Sequence, residues 1–271
     1  MQPIITTTIK TTRKSTKQPS IIIEIINLFI DQRLKNISQQ VYAGEQIHLI
    51  GANGSGKSSL ISALSGYLSY QGQIFIDGHE LAKYSAPELA TIRSYLLQQS
   101  TSIPALKVFQ FLSLCYSTIA LDSKILELLC DDFQIHPLLS KSVEQLSGGE
   151  WQRVKIIAAF LQVWKTGSLA GHFILFDEPK NNLDIIHQAN LDKWIKYFCH
   201  REGTVIMSGH DLNHSYEHAS RIWLMRQGEL LASGQPEYVM TEKNLSDVFG
   251  APIKLSEKST KQFWQVINFD G

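Results

Sequence analysis

Short apolar runs rich in Ile and Leu alternate along this chain with stretches whose apolar positions recur at helical spacing. The runs predict strands over residues 21–26, 46–50, 73–76, 94–97, 173–176, 204–207, 221–225 and 229–232. Strands that alternate with helical patterns indicate an α/β fold with a mostly parallel sheet. Between residues 99 and 144 the strand signals stop, and "VFQFLSLCYS" and "DSKILELLCDDF" read as helices joined by short turns. The pattern divides the chain into an α/β core, 21–98 and 145–250, and an inserted helical subdomain, 99–144. A C-terminal tail, 251–271, follows. No internal repeat or heptad array is present.

The first residues, 1–20, are Thr-rich, basic and aperiodic, which predicts a disordered arm. They lack the apolar centre of a secretory signal. The longest apolar stretch, "FQFLSLCYSTIAL", falls short of the roughly 20 residues that span a bilayer, so membrane association requires a partner. Composition adds two constraints. With 44% apolar residues there is ample material for a core. Lys plus Arg (25) equals Asp plus Glu (25), so the chain offers no electrostatic footprint for nucleic acid or an anionic membrane. Cys115, Cys130 and Cys199 lie in apolar helical stretches and read as packing residues of a reducing compartment.

The chemistry is concentrated in three places. "GANGSGKSS" comprises Gly51, Ala52, Asn53, Gly54, Ser55, Gly56, Lys57, Ser58 and Ser59, and its first eight residues match G-x-x-x-x-G-K-[ST] between an apolar strand and a helical pattern. Glycines let successive N–H groups turn inward onto phosphate oxygens. Lys57 then reaches the β- and γ-phosphates of a nucleotide, and the Ser58 hydroxyl ligates Mg²⁺. "FILFDEP" is an apolar strand tipped by Asp177 and Glu178. Ligands of open α/β sheets sit beyond the carboxyl ends of strands, and consecutive strand residues face opposite ways. Asp177 suits the Mg²⁺ side, and Glu178 suits the water that attacks phosphorus.

The third place is "QLSGGEWQR". Ser147 and Glu150 form the S-x-x-E of a capping box, yet Gly148 and Gly149 contribute nothing to capping, and each costs about 1 kcal/mol relative to Ala within a helix. Bare N–H groups at a helix start suit the close approach of an anion.

Phosphate loop, LSGGE and acid-tipped strand, in this order and spacing, resemble the ATP-binding-cassette ATPases over residues 21–250. The resemblance implies a P-loop core with an antiparallel β subdomain, ATP and Mg²⁺ as substrate and cofactor, and a head-to-tail homodimer. Each ATP would lie between one chain's phosphate loop and the partner's Leu146, Ser147, Gly148, Gly149 and Glu150. It further assigns Gln98 to the Mg²⁺ site, Asn182, Leu183 and Asp184 to a loop that contacts the opposite protomer, and His210 to the γ-phosphate. Family members more often have Ser at the position of Asn182. An aromatic residue upstream of the phosphate loop stacks on the adenine in this family. Phe29 is the candidate, with a core role as the alternative. His210, His214 and His218 are spaced by four residues, as in a metal-binding helix face. His210 falls ahead of the helix, and His214 and His218 read as helix-surface residues.

"QLSGGEWQRV" with its Trp151, "KTGSLAGH" and "MSGHDLNH" are similar to the ATPase subunits of vitamin B12 importers. That likeness implies two copies of a polytopic permease docked at the helical subdomain, a periplasmic substrate-binding protein reached through them, and a peripheral position on the cytoplasmic face of a bacterial inner membrane. Importers of iron chelates or haem are the alternative. Chromosome-maintenance ATPases of this superfamily place a long coiled coil between the two phosphate-binding loops, and the intervening roughly 90 residues leave no room for one. Translation-associated members normally carry two cassettes, and this length holds one.

Overall fold

A computed structural model describes residues 20–98, 103–116, 123–258 and 261–267. The predicted arm therefore lies outside the described residues save for Ser20. The strands are β1 (Ile21–Ile30), β2 (Leu34–Tyr42), β3 (Gln46–Ile50), β4 (Gln71–Ile76), β5 (His79–Glu80), β6 (Arg93–Leu96), β7 (Phe173–Phe176), β8 (Thr204–Ser208), β9 (Arg221–Arg226), β10 (Glu229–Gly234), β11 (Ile253–Lys258) and β12 (Lys261–Val266). They form an antiparallel sheet ordered β2-β1-β4-β5, a larger sheet ordered β10-β9-β3-β8-β7-β6, and a β11-β12 hairpin. In the larger sheet only β10 is antiparallel to its neighbour.

The central strands β3, β7 and β8 are buried at every residue. A strand covered on both faces has no solvent side to show, so none of the three alternates; β7 is wholly apolar, and the polar residues of the other two, Gln46, His48, Thr204 and Ser208, are buried as well. β2 was not predicted. Its buried residues Leu34, Ile37 and Val41 are separated by three and four positions, because register shifts interrupt its pairing with β1. Bulges convert a two-residue period into one that imitates a helix.

The helices are α1 (Lys57–Leu64), α2 (Ala86–Ile92), α3 (Val108–Cys115), α4 (Ser123–Asp132), α5 (Gly148–Val163), α6 (Ile185–His200), α7 (Leu212–His218), α8 (Pro236–Val239) and α9 (Glu242–Phe249). α5 is apolar nearly all round, with Val154, Ile156, Ile157, Phe160 and Leu161 buried, as a helix surrounded by protein must be. It belongs to one apolar cluster that also takes in Val108 and Leu112 of α3, Leu129 of α4 and Phe176 of β7. The helical segment between β6 and α5 therefore shares a core with one face of the parallel sheet. The other face packs against α1 and the antiparallel sheet.

The stretch predicted as a tail contains the β11-β12 hairpin. Ile253 and Trp264 are buried in a third cluster with Val239 and Leu245. Asn213 of α7 fixes the hairpin, receiving the Trp264 amide at 2.5 Å and donating to its carbonyl at 3.2 Å. Among the described residues no helix is long and apolar enough to cross a membrane.

Candidate functional site

β3 delivers the chain to Gly51, and the backbone turns through Gly54 (φ 77°) and Gly56 (φ 103°) into α1. Two constraints act on Gly56. Its left-handed φ disfavours a side chain, and a Cβ there would lie 2.8 Å from Leu34 and 2.9 Å from the Arg33 carbonyl. α1 opens with no side-chain cap and no acid in its first turn, so its leading N–H groups remain available to an anion. Lys57, 6% exposed, donates to the carbonyls of Gly51 at 2.7 Å and Ala52 at 3.1 Å. Burial lowers its pKa, while Glu178 and Asp177 oppose that shift. Ser55 Oγ is buried beneath the loop without a hydrogen-bond partner.

The acids at the end of β7 diverge as strand geometry requires. Asp177, 4% exposed, accepts hydrogen bonds from Ser58 Oγ at 3.1 Å and Ser208 Oγ at 2.6 Å. Glu178 follows with φ 51°, an uncommon backbone conformation for a residue with a side chain. Ser208 also receives the Glu178 amide at 2.9 Å. The Glu178 carboxylate gathers Gln98 Nε2 at 2.6 Å, Asn181 Nδ2 at 2.7 Å and His210 Nε2. Partial burial pushes its pKa up, but the hydrogen bonds from Asn181 and His210, with the charges of His210 and Lys57, hold it below the ordinary glutamate value. A carboxylate so held is ionised and acceptor-only at neutral pH.

These groups line one cleft of about 530 Å³, walled by residues 53–59, Gln98, Glu178 and His210. Asp177 lies behind it, against Ser58. Phe29 is not in the lining. It sits on β1 opposite Gln71 of β4, while Gln32 and Arg33, from the β1–β2 turn, form that wall.

LSGGE lies apart from this cleft. Ser147 caps α5 with the predicted reciprocal bonds, Glu150 N to Ser147 Oγ at 3.2 Å and Ser147 N to Glu150 Oε2 at 2.8 Å. A Cβ on Gly148 would meet nothing within 4 Å, whereas one on Gly149 would lie 2.8 Å from the carbonyl oxygen of Asn182. The bare first turn thus has an internal reason at Gly149 and an open face at Gly148. Asn182 (φ 63°) is exposed, Leu183 is buried, and Asp184 caps α6 by accepting from the His187 amide at 2.9 Å. Gln152 of α5 donates to the Pro179 carbonyl at 2.8 Å, tying this helix to the turn after Glu178.

Comparison with known proteins agrees with this geometry. The ABC transporter family profile matches residues 34–181. The vitamin B12 import ATP-binding protein BtuD of Photorhabdus laumondii is 47% identical over 238 residues, 88% of this chain and 94% of that protein. This chain belongs to the ABC transporter ATPases.

The Escherichia coli protein of the same name is 41% identical over 234 residues, 85% of this ATPase and 92% of the relative. A solved structure described as the ATP binding subunit of an ABC transporter superimposes with a TM-score of 0.71 at 23% identity, covering 85% of this chain and 95% of that one. At that identity the likeness speaks for the fold. The ATPase carries the means to bind and hydrolyse ATP, and its site includes groups that the motifs did not reveal. Ser208 links Asp177 to the Glu178 backbone, and its only signal was a polar residue closing the apolar run "TVIM". Asn181 opens "NNLD", the loop that the resemblance assigns to contact with the opposite protomer, and nothing in the sequence pointed to its bond with Glu178. Gln32 and Arg33 carried no signal, because the strands flanking their turn were not both legible.

Proposed function

We propose that this ATPase powers import of vitamin B12 through a membrane permease, with Glu178 as the group that polarises the attacking water. The relation to B12 import ATP-binding proteins supports the cargo. The single observation that supports the chemistry is the set of donors converging on the Glu178 carboxylate at the edge of the phosphate-loop cleft. Lys57 and the amides of residues 53–59 hold the phosphates, and His210 reaches the γ-phosphate.

Ser58, Gln98 and Asp177 fit Mg²⁺. A hydroxyl, a carboxamide and a carboxylate form a hard, all-oxygen donor set, and the Ser58–Asp177 contact brings two of them together. Held by these residues, Mg²⁺ would supply charge neutralisation for the phosphate oxygens. Glu178, with two of its donors on one oxygen and His210 on the other, orients a water molecule toward phosphorus and accepts its proton as the bond to the γ-phosphate breaks.

In this reading the Gly148 face of LSGGE serves the nucleotide of a second protomer, because it lies outside its own chain's cleft. Loss of the γ-phosphate removes the differential stabilisation of the closed homodimer. The permease, which takes cargo from a periplasmic binding protein, docks two ATPase subunits on the cytoplasmic face of the inner membrane. An apolar groove of about 370 Å³ between the core and the segment 99–144, lined by Leu96, Phe111, Cys115 and Trp151, suits a permease helix end. Reconstitution with the co-purifying permease and binding protein in lipid vesicles tests the cargo. ATP-dependent uptake of labelled cobalamin is expected, and uptake of an iron chelate instead would refute it.

A further inference from the structure

α6 and α7 carry a second constellation that the nucleotide cleft does not use. The Asp192 carboxylate on α6 and the imidazoles of His214 and His218 on α7 each offer one ligand atom, and these atoms lie within 4.8 Å of one another. His214 is not the surface residue that its sequence position suggested. Its side chain is 12% exposed, its Nε2 is 2.9 Å from Asp192 Oδ1, and its ring stacks on His218 with centroids 4.5 Å apart. We propose that Asp192, His214 and His218 bind a divalent metal ion of the zinc class, at a site separate from the nucleotide and its Mg²⁺.

A tetrahedral ion with bonds of about 2.1 Å sets its ligand atoms about 3.4 Å apart, so atoms now up to 4.8 Å apart must draw together, and the stacked His214 and His218 rings must turn for both to face one ion. Two of the three ligands are already braced. Lys180 Nζ holds the other Asp192 oxygen at 2.7 Å, so an ion at Oδ1 takes the place of the proton shared there with His214 Nε2. The His48 ring, 1% exposed and fixed by Gln46 and Ser215, packs 5.3 Å from the His214 ring. Partners that orient ligands in this way are a regular part of metal sites. Coordination through His214 Nε2 places the imidazole proton on Nδ1.

The His218 side chain makes no hydrogen bond among the described residues and meets His214 by ring stacking, so its nitrogens are free to take a ligand. Its exposure lets a water molecule complete the coordination sphere. The donor set also selects the ion. One carboxylate, already paired with Lys180, holds Mg²⁺ or Ca²⁺ weakly, since these require several oxygens. Two imidazoles favour Zn²⁺, Co²⁺ or Ni²⁺. An ion here would staple α6, which starts at Asp184, to α7, whose cap Asp211 adjoins His210.

The test is a Co²⁺ titration of the untagged, nucleotide-free full chain in excess Mg²⁺, read by visible absorption. One Co²⁺ per chain with the intense bands of tetrahedral coordination is expected, bleached by Zn²⁺. His218→Ala removes an exposed ligand outside the cleft and should weaken binding by about 100-fold, with its basal ATPase rate unchanged. His218→Gln, which keeps the volume and a polar tip, should weaken it similarly and guards against a packing defect. Wild-type protein with no such bands, or variants that bind Co²⁺ as tightly as wild type, would overturn the site.

Discussion

Gln98 Nε2 donates a 2.6 Å hydrogen bond to the Glu178 carboxylate, joining the last described residue before the 99–144 segment to the acid at the tip of β7. If Glu178 has the role proposed above, a displacement of that segment would act directly on the group that orients water. Glu178→Gln keeps the shape and loses the proton acceptor. We expect ATP turnover to fall by about 10²–10⁴-fold while ATP affinity stays unchanged, measured by steady-state hydrolysis and nucleotide titration. Near-normal hydrolysis would remove Glu178 from its role.

The separation of LSGGE from its own cleft predicts complementation between chains. Lys57→Ala and Ser147→Arg proteins should each be inactive. In a mixture, heterodimers hold one site with both lesions and one with neither, so hydrolysis should reappear. A mixture as inactive as its parents would mean that the sites are not shared.

Gly149→Ala separates stability from function. Ala improves a helix by about 1 kcal/mol over Gly, yet its Cβ would sit 2.8 Å from the Asn182 carbonyl and force that loop aside. Thermal stability should change little, the helical gain being offset by the displaced backbone, while ATPase activity drops about tenfold, equivalent to ~1.4 kcal/mol in the barrier. Unchanged activity would show that the loop yields without consequence.

The thiols predict a pH dependence. Burial pushes Cys199 up to about 12, and Cys115 and Cys130 up to about 11. The ordinary value is 9.0, so between pH 9 and 11 the native chain keeps protons that the unfolded chain releases. Stability contributed by these groups is full below pH 9 and declines as pH rises. Since the thiolate is the nucleophile, iodoacetamide at pH 8 should modify the native chain far more slowly than the urea-unfolded one. Equal rates would contradict the burial.

Legibility in the sequence followed burial symmetry. β3, β7 and β8, covered on both faces, were read correctly, and so was α5 from the S-x-x-E at its start. β2 was hidden by bulges that put Leu34, Ile37 and Val41 at helical spacing. The hairpin in 253–266 did alternate, with Ile253, Leu255 and Trp264 facing the third cluster, but it lay beyond the resemblance and went unread. Lys57, Ser58, Asp177 and Glu178 were recognisable because phosphate chemistry fixes their types and order. Ser208 and Asn181 were not, since a hydroxyl or an amide acquires its task only from what folding places beside it. Gly149 was explained by an incoming anion alone, and its contact with Asn182 came from the fold.

Trp151 gives this ATPase a built-in optical reporter. The other tryptophans, Trp164, Trp194, Trp223 and Trp264, are at most 7% exposed. Trp151 is half-buried in the groove beside Phe111, their ring centroids 4.9 Å apart at 62°. Indole emission shifts to shorter wavelength when water leaves the ring. A helix end entering the groove, or a rotation that opens it, would therefore change the colour of this one fluorophore against a steady background, without an attached dye.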